Sequence, residues 1–258
     1  MANEVVKTFS ESLVDKLSAV KEALPKDFNK ERFTQNAIAV MNEKPELAKI
    51  NRNEVIQGLL KGAYLGLDFM NKECYLIPYG GSVQFQTDYK GECKFVKSYA
   101  IRPISEIYAK VVRDGDVFEE KIVDGRPSID FFPKPFSTAD IIGAFAVCLY
   151  KDGGMEYETM SIDDIQNVRN NYSKASMSKA WKFSFDEMAK KTVLRRLCKH
   201  IETDFESVEA HSAWDEGSQV SVVTKESDPE EVVNAFEPID VEAKEVPVDD
   251  MPMPDNFK

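Results

Sequence analysis

No stretch of about 18 apolar residues occurs in the 258-residue chain, so no helix is expected to cross a membrane. The opening "MANEVVKTFSESL" lacks a basic segment followed by an apolar one, and no secretory leader is expected. Cysteine is scarce. Cys74, Cys93, Cys148 and Cys198 are scattered, without a Cys-x-x-Cys pair, which argues against a zinc site and for reduced thiols in a cytoplasmic protein. Histidine is scarcer still, His200 and His211 alone, too few for a metal centre. Also missing are a G-x-x-x-x-G-K-S/T phosphate loop, a G-x-G-x-x-G helix opening, an H-E-x-x-H pair and a nucleophile elbow. These absences point away from an ATP-driven motor and from the common hydrolases; no cofactor, no metal and no ATP are expected. Adjacent carboxylates do occur, at Glu119-Glu120 and Asp163-Asp164, as a metal-dependent nuclease would need. No third carboxylate is placed with either pair, and acids beside a helix start commonly act as caps.

The net charge of −12 conceals an asymmetry. Residues 202–258 carry 17 acids and 3 bases, whereas the first 201 residues carry 28 acids and 30 bases. A mildly basic body precedes an acidic tail, and binding to a polyanion is decided by the local field of the body. The tail, from about residue 206, is broken by Pro238, Pro247, Pro252 and Pro254 and is expected to be disordered. Its end, "VPVDDMPMPDNF", resembles the acidic, apolar-ended tip of bacterial single-strand binding proteins. It could compete for the basic body, dock on a partner, or simply aid solubility.

The expected fold class is α+β: an antiparallel sheet packed on helices, with N-terminal helices. Val6, Phe9, Leu13, Leu17, Val20 and Leu24 recur at helical steps until Pro25. A second helix is expected from the cap Asn29, and a third from near Asn53 to the break at Gly66. "YLIPYGGSVQFQTDYKG" reads as a hairpin, Tyr75 to Tyr79 and Val83 to Thr87, turning at Gly80-Gly81. It leads into a helix capped by Asp88. "ISEIYAKVVRDGDVFEEKIV" reads as two strands joined at Asp114-Gly115, "PSIDFFPKPFSTAD" as a loop, and "IIGAFAVCLYKDGGMEYETM" as a second hairpin. Short links suggest one antiparallel sheet of about five or six strands. Ser161 and Asp164 would form a capping box, and Ser184 with Glu187 another, the latter opening a long C-terminal helix. The chain thus divides into an N-terminal helical region, residues 1–70, expected to make subunit contacts; an α+β core, residues 71–205; and the tail, residues 206–258.

Charge is unevenly placed on these elements. At about 100° per residue, Ala189, Val193, Leu194, Leu197 and Ile201 share one side of the long helix. Lys191, Arg195 and Lys199 form a row on the other, with Arg196 beside it. From Arg169 to Lys199 there are nine bases and two acids, where a merely solvated face would mix signs for i, i+4 pairing. Lys90, Lys94 and Lys97 share a face of the helix after the first hairpin, and Arg102, Lys110 and Arg113 come after them; these lysines could also just flank a core helix. Tyr75, Tyr79, Phe85, Tyr89 and Trp181 lie among the bases and could stack nucleobases, although Phe85 and Trp181 suit a core better. Gln84 and Gln86 alternate onto the face opposite Phe85. Together these features fit a nucleic-acid surface.

The segments "YLIPYGGSVQFQTDYKG" and "SKAWKFSFDEMAKKTVLRRLCKHI" resemble the phage RecT proteins and, more distantly, the Redβ proteins, over roughly residues 5 to 205. The resemblance implies ATP-independent DNA single-strand annealing, with no catalytic residues. It implies rings or helical filaments that hold single-stranded DNA by its backbone in a basic groove, pair it with a complementary strand and hold the annealed duplex. It admits a phage exonuclease and a host single-strand binding protein as further partners. Carried over by motif, the DNA-binding residues are Gln84, Gln86, Thr87 and Lys90 from the first segment and Lys182, Lys191, Arg195, Arg196 and Lys199 from the second. Charge geometry adds Lys94, Lys110 and Arg113. A passive single-strand binding protein and a DNA nuclease are the alternatives.

Overall fold

The computed structural model describes residues 2–173 and 176–218. The expected disorder and roles of the acidic tail beyond Ser218 lie outside the described residues.

Three helices open the chain. α1 (Ala2–Ala19) buries Phe9, Leu13 and Leu17 at four-residue steps, so its stripe faces the protein's own core. A 3-10 turn, Lys21–Ala23, ends it before Pro25. α2 (Lys30–Glu43) is capped by Asn29, whose side chain accepts a 2.8 Å hydrogen bond from the Arg32 amide. α3 (Arg52–Tyr64) starts one residue before Asn53, on the cap Asn51, and buries Val55, Ile56, Leu59, Leu60 and Ala63. One apolar cluster runs from Phe9 of α1 to Trp214 near the described C-terminal end, so the N-terminal helices share a core with the strands and helices beyond them.

β1 (Cys74–Tyr79) and β2 (Ser82–Thr87) form the expected hairpin, pairing Tyr79 with Ser82 and Leu76 with Phe85. Gly80 and Gly81 have φ of 56° and 83°, the left-handed values that a two-residue hairpin turn demands. α4 (Tyr89–Tyr99) comes directly after, Asp88 accepting from the Lys90 amide. At Gly91 a Cβ would stand 2.1 Å from the Glu73 carbonyl oxygen, so only glycine lets α4 lie this close to the entry of β1.

The remaining strands depart from the expected single sheet. β3 (Ile104–Arg113), β6 (Ile141–Tyr150) and β7 (Met155–Ser161) form a three-stranded antiparallel sheet in the order β3-β6-β7. β4 (Val117–Val123) pairs with β5 (Arg126–Phe132) in a separate hairpin, and β1-β2 stands apart from both. β3 and β4 are therefore consecutive but unpaired. The stretch read as a loop supplies β5, turned at Asp124-Gly125 with φ of 50° and 75°. Pro127 is accommodated because β5 is an edge strand. Phe118 and Phe131 bring this hairpin onto Phe145 of β6, with ring centroids 5.1 and 5.0 Å away.

α5 (Ile162–Tyr172) begins with the expected capping box: Ser161 Oγ accepts from the Asp164 amide, and the Asp164 carboxylate accepts from the Ser161 amide. The Ser161 hydroxyl also donates to that carboxylate at 2.7 Å, and with the Ser161 amide it holds the Asp164 carboxyl below its ordinary pKa. α6 (Lys179–Phe183) abuts α7 (Phe185–His200), and here the second capping box fails. Ser184 closes α6 and opens α7 together, at φ −133° and ψ 46°, and its side chain caps nothing. Glu187 pairs instead with Lys190. α7 buries Ala189, Val193, Leu194, Leu197 and Cys198 against the β3-β6-β7 sheet. The boundary placed at residue 206 is also corrected. α8 (Val208–Ser218) belongs to the core, burying Ala210, Ala213 and Trp214, with Trp214 stacked 4.7 Å from Phe95.

The contrast between the two serine caps is testable by urea denaturation. Ser161→Ala should cost about 1 kcal/mol, the usual worth of a lost cap, while Ser184→Ala should change stability by less than about 0.5 kcal/mol. Equal losses would contradict the cap geometry.

Candidate nucleic-acid interface

Where β2 ends, its alternation decides which side chains are available. Phe85 and Thr87 point inward and are buried, while Gln86 points the other way. It borders a cleft of about 350 Å³ between the β2-α4 junction and α7. Asp88 and Tyr89 continue that wall. The facing wall is α7, whose buried stripe turns Lys191, Arg195, Arg196 and Lys199 toward the opening. Met160, Val168, Trp181 and Met188 add apolar lining, and Tyr172 and Ser173 bring in the end of α5.

The four cations are held in different ways. Lys191 Nζ lies 5.2 Å from the centroid of the Tyr89 ring, within cation–π range. Arg196 Nε is 2.7 Å from Glu158 Oε1 of β7. Arg195 Nη2 is 3.0 Å from Oε1 of Glu92, which is fully buried in α4. The Thr87 hydroxyl meets the same Oε1 at 2.7 Å. Lys199 is exposed, yet burial at its base lowers its pKa, with Glu92 pulling it up and Arg195 pushing it further down. Burial raises the Asp88 pKa, opposed by the Lys90 amide and by Lys191, Arg195 and Lys90. The cleft therefore concentrates positive charge beside an apolar lining, with its counter-charges partly or wholly buried.

Of the twelve candidate residues, Gln86, Lys191, Arg195, Arg196 and Lys199 line this cleft. Gln84 stands two residues nearer the hairpin tip, and Lys90 is exposed in the first turn of α4. Lys182 is exposed on α6, directly after Trp181. Thr87 is a correction: it is 1% exposed and its hydroxyl is engaged with Glu92 and with the Gly217 carbonyl, so it is closed to an incoming strand. Three others lie away from the cleft. Lys94 donates to the Gly66 carbonyl and pairs with Glu73 at 2.7 Å. Arg113 donates to the Ala139 carbonyl at 2.8 Å. Lys110 is exposed on β3, opposite Phe145 of β6.

Sequence reasoning missed Glu92. Its signal was present, because Tyr89, Cys93 and Val96 mark the inward face of α4 and Glu92 falls among them. A carboxylate on a core-facing stripe needs a cationic partner.

The chain matches the model of the RecT family over residues 31–233. The chain belongs to the RecT family. It is 29% identical over 211 residues to Protein RecT of Escherichia coli K12, covering 76% of this chain and 74% of that protein. It is 28% identical over 225 residues to the uncharacterized protein YqaK of Bacillus subtilis 168, covering 84% and 75% respectively. Both walls of the cleft lie inside the family match. Membership places the chain among recombination and annealing proteins in general.

The thiols report on the packing behind the cleft. Cys93 of α4 and Cys198 of α7 bring their sulfurs to 3.8 Å. A hydrogen bond from Cys198 lowers the Cys93 pKa, whereas burial raises those of Cys74 and Cys148 and the shared proton raises that of Cys198. Iodoacetamide on the native protein should therefore label Cys93 first, read by peptide mass spectrometry. Prior labelling of Cys74 or Cys148 would contradict this arrangement of α4 and α7.

Proposed function

We propose that the protein is an ATP-independent single-strand annealing protein that holds single-stranded DNA by its backbone and pairs it with a complementary strand. The observation that carries this reading is the convergence of Lys191, Arg195, Arg196 and Lys199 with Gln86 on one cleft of a RecT-family chain. Each cation that neutralises a phosphate releases condensed counterions, a gain in affinity indifferent to sequence. The amide of Gln86 can donate to phosphate oxygens. Base pairing then reads the sequence, and the protein needs no base-specific group.

In this reading the protein works in the cytoplasm of a bacterial host, as a ring or filament of copies, and hands over an annealed duplex. A phage exonuclease that supplies single strands and a host single-strand binding protein are the partners such work calls for. Gln84, Lys90 and Lys182 flank the cleft and extend the path of the strand on either side of it. Lys94, Lys110 and Arg113 fall outside that path within one protomer.

The test is the annealing rate of two complementary oligonucleotides without ATP, beside single-strand affinity as a function of salt. Annealing should be accelerated, and strand lengths should survive added magnesium. Lys191→Ala, Arg196→Ala and Lys199→Ala should each lower the slope of log K against log salt by about 0.7, the share of one phosphate contact on a single strand. Lys94→Ala should leave it unchanged. Slowed pairing would favour a passive coat, shortened strands would favour a nuclease, and a slope lost only with Lys94 would move the DNA to another face.

A further inference from the structure

Resting on the DNA-binding reading of the cleft, one more inference comes from the surroundings of Glu92. Its side chain is 0% exposed, and Oε2 has no hydrogen-bond partner among the described residues. Arg195 approaches Oε1 at 3.0 Å as an ion pair, with Nε and Nη2 of the guanidinium likewise buried and without hydrogen-bond partners among the described residues. Thr87 has a single hydroxyl hydrogen. It faces two acceptors, Glu92 Oε1 at 2.7 Å and the Gly217 carbonyl of α8 at 3.0 Å. α8 is pressed close here, since a Cβ on Gly217 would lie 2.7 Å from Phe85 and 2.9 Å from Thr87.

With Glu92 ionised, Thr87 can serve only one of these acceptors. With Glu92 protonated, its O–H donates to Thr87 Oγ1, and the Thr87 hydrogen goes to the Gly217 carbonyl, so the chain closes. The groups around Glu92 pull in both directions: burial and Asp88 oppose the ionised form, whereas Arg195 and Lys199 favour it. α7 contributes Arg195 and Lys199, with the Cys198 thiol behind them; α4 and its cap contribute Asp88 and Cys93. Among the other neighbours, Glu158 of β7 is taken by Arg196, and Glu216 of α8 by Lys61. Burial raises the Glu92 pKa, while Arg195, the Thr87 hydrogen bond and Lys199 lower it. A phosphate reaching Arg195 and Lys199 offsets those two cations and adds a like charge near the carboxylate. Both effects favour the protonated form.

We propose that Glu92 is the positioning residue of the cleft, holding Arg195 while the site is empty and taking up a proton from solvent when a nucleic-acid phosphate engages Arg195. Binding would then tighten as pH falls, because the bound state carries more protons than the free state.

The experiment is calorimetric titration of the full chain with an oligothymidylate in two buffers of different ionisation enthalpy, with affinities from about pH 6 to about pH 9. The unaltered protein should take up part of a proton per site, and its affinity should fall as pH rises. Glu92→Gln, neutral at every pH, should lose that uptake and flatten the pH profile. At the alkaline end it should bind more tightly, by about tenfold for each unit of pKa shift. Arg195→Gln should lose or sharply reduce the uptake too, because the cation whose engagement by phosphate releases Glu92 is gone; this arm decides the matter should Glu92→Gln not fold. Binding without proton uptake, or uptake undiminished in either variant, overturns the inference and leaves the proposed function standing. No binding at all overturns both.

Discussion

The apolar stripe of α7 governs the site. Ala189, Val193, Leu194, Leu197 and Cys198 must be buried against the β3-β6-β7 sheet, and burying them leaves no choice about where Lys191, Arg195, Arg196 and Lys199 point. Four cations within three helical turns repel one another, and a helix makes no use of such repulsion for its own stability. The fold tempers it with acids from other elements: Glu92 of α4, Glu158 of β7 and Asp88 at the cap of α4. The basic face of the cleft is thus a by-product of core packing in its direction and a tertiary construction in its charge balance.

Glu92 is the costliest of these acids. Removing a carboxylate wholly from water carries a penalty of several kcal/mol, which an ion pair repays only with good geometry. Here one oxygen has the Thr87 hydroxyl and the guanidinium, while the other has no hydrogen bond among the described residues. The arrangement is a poor choice for stability alone. It does fix the height and rotamer of Arg195, which a solvated lysine or arginine on an open helix face would not have.

Much of this was legible from residue order. The caps Asn29, Asp88 and Ser161, the Gly80-Gly81 turn and the inward set of α7 arise from local chemistry, and the structure has them. The misses share a cause, which is dependence on distant partners. β3 pairs with β6 across the β4-β5 hairpin, so proximity in the chain suggested the wrong neighbour. Pro127 hid β5, because an edge strand tolerates a proline that a central strand would not. α8 is short and acids come after it, and the partners that give it a place to pack, Phe95, Phe85 and α3 among them, lie far back in the chain. In the site, the α7 row was readable from period alone. Thr87 was readable too, in the opposite sense: strict alternation on β2 sets it with Phe85, inside, and a motif resemblance does not outweigh that alternation.

If the cleft anneals strands as proposed, it has to hold a strand and then let the product go, and unopposed cations would serve only the first half of that task. In the cleft, part of the positive charge is already spoken for before any strand arrives: Arg195 by Glu92, Arg196 by Glu158. Phosphates must displace or outweigh these internal partners, which lowers the net gain per contact and keeps the exchange between strand and protein close to balance. Lys191 rests on the Tyr89 ring and makes no direct ion pair among the described residues, so an arriving phosphate would displace no carboxylate from it. Under the proposed function, cations graded in this way would let one groove take up a strand at Lys191 and release it through the re-forming of the arginine pairs.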